Sequence, residues 1–147
     1  MSKEVDPRMH TAEHLLNQTM IMTVGSGRCF SAHIEKKKSK CDYHFERNLT
    51  DEEKNKIEET INNLIKEDLK VTEEFLPRTE AESKYNLIRL PEGAGDNIRI
   101  IKIGDYDSCP CVGEHVASTK ELIGFRIIST DFQNGVLRIR YKLTVNN

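Results

Sequence analysis

The sequence lacks most of what would take it out of the ordinary globular proteins. No apolar run approaches the roughly 18 residues that a membrane span needs, and no signal-peptide core stands near its start. There is no internal repeat, low-complexity tract or linker. The 147 residues are therefore expected to form one domain, 1–147, with a sizeable core. Net charge is also nearly absent, at -2. That gives no reason to expect indiscriminate binding to polyanions, so any nucleic-acid surface must be a local patch. Cysteine is sparse, with Cys29, Cys41, Cys109 and Cys111. The cytoplasm is the expected location, with no membrane or DNA partner. There the cysteines stay reduced, which favours metal binding or reactivity over disulfides.

What is present reads as α+β. Asp6-Pro7 is a helix start, a capping carboxylate followed by proline at the first helical position. Met9, Ala12, Leu16 and Met20 recur at helical spacing, widened by Leu15, until Gly25-Ser26-Gly27 ends the pattern. Residues 28–46 suit two short strands around a turn. "LTDEEKNKIEETINNLIKEDLK" is the clearest helix, with a Thr50/Glu53 capping box and Ile57, Ile61, Leu64, Ile65 and Leu69 along one face. "VTEEFL" reads as a strand, "PRTEAESKY" as a short helix, "PEGAGDN" as a loop and "IRIIKIGDYDSC" as a strand. A terminal hairpin turns at Asn134-Gly135. Helices and antiparallel strands in separate runs predict a two-layer domain, an antiparallel sheet beside a long helix.

Two short patterns carry chemistry. His10 and His14 sit four apart on a helix, so both can reach one metal ion. They lie off the apolar stripe, on a flank shared with Asn17 and Ile21. About a hundred residues later, "CPCVGEH" places Cys111 and His115 four apart, beside Gly113, which permits a tight backbone path. Three imidazoles and a thiolate form a natural tetrahedral zinc set. One pair near each end of a single domain suggests a site that folding closes.

"HTAEHLLN" and "CVGEHVAST" resemble the paired H-x3-H and C-x3-H motifs of the alanyl-tRNA synthetase editing domain and its free-standing AlaX-type relatives. The resemblance runs along the whole chain. It implies the fold of the synthetase second additional domain and a hydrolase acting on a mischarged aminoacyl-tRNA, with serine or glycine removed from alanine tRNA. The need for such an enzyme is physical. A pocket for alanine cannot exclude glycine, because one methylene discriminates by only about 1–3 kcal/mol. With no room for an aminoacylation domain, the chain is expected to edit without charging. Its start, lacking the glycine-rich segment of longer members, resembles the short forms.

Residue by residue, the resemblance implies zinc held by His10, His14, Cys111 and His115, with His10 and His14 also catalytic. Four protein ligands match a structural site, so a catalytic zinc would have to expand its coordination or release a ligand. The related threonyl-tRNA editing domain is understood to work without metal, a histidine placing or deprotonating the water. The family's usual C-G-G-T-H is replaced here by Cys111-Val112-Gly113-Glu114-His115. Glu114 then either orients water or faces solvent, and Cys109 is either an alternative ligand or a bystander. Thr11, Asn17, Gln18 and Thr23 are candidates to bond a substrate hydroxyl.

Lys36, Lys37, Lys38 and Lys40 fall in an expected hairpin turn, with Arg47 beyond. They read either as a solvated turn or, given the resemblance, as contacts to tRNA phosphates. His33 and His44 are expected to be structural or exposed. Two rival readings remain. His10-Thr11-Ala12-Glu13-His14 matches the H-x-x-E-H zinc-peptidase pattern, with Glu13 as base, although it leaves Cys111 and His115 unexplained. A non-catalytic, zinc-stabilised RNA-binding module explains the closed ligand set.

Overall fold

The structure, a computed structural model, describes residues 6–85, 87 and 95–144. Most of "PEGAGDN" therefore lies outside the described residues. Helix α1 spans Pro7–Val24. Asp6 caps it by accepting from the Met9 amide at 3.0 Å, and Gly25 closes it at φ 75°, a left-handed conformation glycine adopts without steric cost. Strands β1 (Ser31–His33) and β2 (Ser39–His44) form a hairpin around the lysine turn. Helix α2 (Asp51–Lys66) has the expected capping box and buries Ile57, Ile61, Leu64 and Ile65. It ends before Leu69, because Asp68 at φ 56° turns the chain away. Leu69 packs against the core from the following segment.

Next come β3 (Val71–Pro77) and α3 (Arg78–Lys84). The segment expected as one strand, "IRIIKIGDYDSC", folds back on itself as β4 (Asn97–Ile103) and β5 (Asp107–Pro110). The reversal falls at Gly104, whose φ of 50° favours glycine, and the Tyr106 amide bonds to the Ile103 carbonyl at 2.9 Å. A 3-10 turn (Thr119–Leu122) leads into the hairpin of β6 (Phe125–Gln133) and β7 (Val136–Leu143).

The α+β expectation holds, with the strands divided between two antiparallel sheets. One has the order β1-β2-β7-β6 and the other β3-β4-β5. The main core lies where α1 and α2 meet the larger sheet, with Leu15, Leu16, Ile57, Ile61, Ile139 and Tyr141 fully enclosed. Helix α1 packs on α2, β7, β5 and the 3-10 turn, so it touches both sheets. Two anchors fix it there. Tyr141 donates its hydroxyl to the Met9 carbonyl at 3.0 Å. The Arg8 guanidinium donates to the carbonyls of Glu121, Leu122 and Thr144. No helix among the described residues is long and apolar enough to cross a membrane.

Candidate metal centre

Helix α1 brings His10 and His14 against the segment that leaves β5. Cys111 is the first residue beyond that strand, and its amide bonds back to the Arg99 carbonyl at 3.1 Å. The Arg99 guanidinium then donates to the carbonyls of Cys111 (3.2 Å) and Gly113 (2.7 Å), while its Nε pairs with Glu73. Downstream, the chain is held by bonds from Val71 to Ala117 and from Thr119 to Leu69. The loop carrying Cys111 and His115 is thus tied down at both ends.

The structure brings all four expected ligands together. One donor atom each from His10, His14, Cys111 and His115 lies within 4.8 Å of the others. Cys111 Sγ is 3.3 Å from His10 Nε2 and 3.4 Å from His115 Nε2. A tetrahedral zinc site with ordinary Zn–S and Zn–N lengths has a donor–donor edge of about 3.5 Å, so these spacings fit the ion. The His10 and His115 rings stack with centroids 4.2 Å apart, and His14 meets both edge-on.

Each imidazole is oriented from behind through Nδ1. His10 Nδ1 is 3.2 Å from the Glu114 carbonyl, and His115 Nδ1 is 2.9 Å from the Thr11 hydroxyl. His14 Nδ1 lies 3.4 Å from Asp107 Oδ2, an ion-pair distance whose angle falls short of a hydrogen bond. Asp107 is in turn gripped by Arg28 through both oxygens, at 2.9 and 3.3 Å. With Nδ1 engaged on the outside, Nε2 is left for the centre. This is the usual arrangement around metal-binding histidines.

The electrostatics of the cluster centre on the Cys111 thiol and the buried His14. Burial opposes ionisation of Cys111, but contacts with His10, His115 and His14 outweigh it and pull the thiol down to about 3. Burial likewise works against charge on His14, yet Asp107 and Cys111 lift it to about 9. His115, penalised by burial more than Cys111 helps it, falls to about 4. A cation needs a thiolate and neutral imidazoles, so Cys111 and His115 already hold the ligand form, whereas His14 has to give up a proton to an arriving ion. The donor set and its spacing fit zinc.

Gly113 owes its place to space rather than to backbone freedom. A Cβ there would lie 2.6 Å from His10 Nδ1 and closer still to Cε1. Glu114 and Val112 face solvent. Cys109 stands outside the four-donor set, and its thiol is pushed up to about 12, chiefly by burial. Glu13 is 4% exposed and accepts from Cys29 Sγ at 3.2 Å, with its other oxygen 3.7 Å from His10 Nε2. Of the candidates for bonding a substrate, Thr11 is buried against His115 and Val116. Asn17 is taken by the Cys29 amide and the Tyr43 hydroxyl. Gln18 and Thr23 are half-buried. Sequence reasoning did not find Asp107 or Arg28. Their nearest signal is Asp107 standing four residues before Cys111.

Lys36, Lys37 and Lys38 are exposed in the β1–β2 turn, and Lys40 pairs across the sheet with Arg140. Lys38, Lys40, Arg140 and His33 help line a concavity of about 290 Å³. His33 is exposed beside Glu35, and His44 stacks on Phe30. Arg47 lies beyond the other end of β2, where its guanidinium bonds Glu53 at 2.7 and 2.9 Å. The structure does not bring it to the lysine turn.

Residues 98–140 run from β4 through the Cys111/His115 loop into β7, and they match the threonyl and alanyl tRNA synthetase second additional domain. Over this stretch the chain is similar to the additional domains of the tRNA synthetases. Along almost its full length, the chain is a sequence relative of the alanine–tRNA ligases. It is 36% identical over 137 residues to that of Pyrococcus abyssi, covering 90% of this chain and 15% of the ligase. Identity is 35% over 139 residues with the ligase of Staphylothermus marinus, covering 91% and 15%. With that of Halorubrum lacusprofundi it is 36% over 135 residues, covering 88% and 14%. The chain thus spans about 15% of the length of these relatives.

Proposed function

We propose that this chain is a single aminoacyl-tRNA editing domain, a deacylase that hydrolyses the ester of mischarged alanine tRNA and releases serine or glycine. The observation that carries this reading is the four-donor cluster in a chain related to alanine–tRNA ligases. His10, His14, Cys111 and His115 would hold zinc, which when bound supplies a Lewis acid for the ester carbonyl and for water. His14 is 3% exposed and sits deepest, whereas His10, Cys111 and His115 are half-buried. His10 and His14 are the residues proposed to position or deprotonate the attacking water, a role each could take only when its Nε2 is off the ion. Asp107 and Thr11 fix the rings they touch.

Lys36, Lys37, Lys38 and Lys40 are the proposed contacts to tRNA phosphates, since exposed lysines supply affinity without sequence preference. Arg47 would join them only by giving up Glu53. The reading is tested by the rate at which the zinc-loaded protein releases amino acid from seryl-tRNA(Ala) and from alanyl-tRNA(Ala). Faster release of serine is expected, and no release from the seryl, glycyl or alanyl form would sink the proposal. One observation favours a second reading: four protein donors close a tetrahedron, as structural zinc sites do. A structural ion unfolds the chain when chelated, whereas a catalytic one leaves its circular dichroism intact and removes turnover.

A further inference from the structure

A second group of ligating side chains lies on the core side of α1, bordering the one already described where Glu13 Oε1 comes to 3.7 Å from His10 Nε2. Glu13, Cys29 and Cys41 are 4%, 2% and 0% exposed, and one donor atom from each lies within 4.8 Å of the others. They come from three pieces of chain: α1, the segment entering β1, and β2. All three pieces are held. The Cys29 amide donates to Asn17 Oδ1 at 3.1 Å, and the next residue, Phe30, bonds the Asp42 carbonyl at 2.9 Å. Cys41 is paired in register with Ala32 on one side and Ile139 on the other. Glu13 rides on a helix anchored through Met9 and Arg8.

We propose that Glu13, Cys29 and Cys41 form a second metal site, for a thiophilic divalent ion such as zinc or cadmium, buried between α1 and the larger sheet. Two sulfurs and one carboxylate oxygen are a donor set that such ions select. The edge between Cys29 Sγ and Glu13 Oε2, at 3.2 Å, is already as short as a bound ion requires. The other two edges, each within 4.8 Å, would measure about 3.5–3.8 Å around a bound ion. On binding, each thiol gives a proton to solvent, and two thiolates with one carboxylate surround the dication. Three protein donors satisfy such an ion with water as a fourth ligand. An ion here would staple α1 to β2, and because only the folded chain assembles the site, occupancy would stabilise the fold. The site is independent of the editing reading.

The test uses the full chain, reduced and stripped of metal, titrated with cadmium. Bound metal is counted by elemental analysis, and thiolate ligation is read from the ultraviolet sulfur-to-cadmium absorption. Two cadmium ions per chain are expected for the wild type and one for Cys29→Ser/Cys41→Ser. In Cys109→Ser/Cys111→Ser, Cys29 and Cys41 are the only thiols left, and the charge-transfer absorption is expected to persist. A single ion in the wild type that Cys29→Ser/Cys41→Ser retains overturns the proposal. So does loss of the absorption in a Cys109→Ser/Cys111→Ser variant with wild-type circular dichroism. If Cys29→Ser/Cys41→Ser fails to fold, the absorption of Cys109→Ser/Cys111→Ser decides, because only Cys29 and Cys41 can then supply thiolate.

Discussion

The two long helices lie side by side in one core and are built on opposite principles. Helix α2 buries four aliphatic residues on one face and leaves acids, lysines and amides outside. Helix α1 buries Thr11, Glu13, His14, Asn17 and Thr19 as well as its apolar residues. It can do so because α2, β7, β5 and the 3-10 turn cover it on several sides. A buried polar group costs free energy unless it is bonded. Thr11, Asn17 and Thr19 all have named partners, as does Glu13. One helix is spent on holding the fold and the other on presenting ligands.

Changes to α2 should therefore move stability and leave the metal centre alone, and changes around α1 should do the reverse. Ile61 is fully buried, so Ile61→Ala should cost about 2–5 kcal/mol in urea unfolding. Zinc affinity of the folded variant should stay at the wild-type value, and a weakened zinc site would show the two helices to be coupled. Asp107→Asn keeps the shape and removes the charge behind His14. Zinc should then bind about 10–100-fold more weakly in a chelator competition. An unchanged affinity would mean that His14 needs no carboxylate to orient it.

The smallest effect expected is a pH dependence confined to the start of α2. Arg47, with the Thr50 amide, holds the Glu53 carboxyl down to about 2. Its folded value lies below the ordinary one near 4.3, so its contribution is complete above that pH. The contribution fades as pH falls from there towards 2. Glu53→Gln keeps the capping geometry without the charge. Its melting temperature should trail the wild type at pH 7 and converge with it in acid. A gap that stays constant with pH would assign the effect to shape alone.

The same contrast decides what could be read from sequence. For α2 nearly everything was legible, because a capping box and an apolar face are local, periodic signals. Its end was misplaced by the turn at Asp68, which left no mark in the periodicity. For α1 the cap and the histidine pair were legible, and the Cys111/His115 partner pair was found through its own four-residue spacing. Asp107 and Arg28 stayed hidden because their link to His14 is made by the β4–β5 turn-back, which was taken for a single strand. Gly113 was noticed for its backbone, yet its role depends on the His10 ring, a neighbour about a hundred residues away. The Glu13, Cys29 and Cys41 group has no motif at all. Only the docking of α1 on β2 brings it together.

The histidine pair on α1 also has a consequence for timing. On a ribosome His10 is made long before His115, and at about 5–20 residues per second the interval is roughly 5–20 s. Throughout that interval the first two ligands exist without the other two. A two-imidazole chelate on a helix whose covering elements are not yet synthesised has little hold on an ion. An ion at this centre would therefore be taken up late in the birth of the chain, after its sheets have closed around the fourth donor.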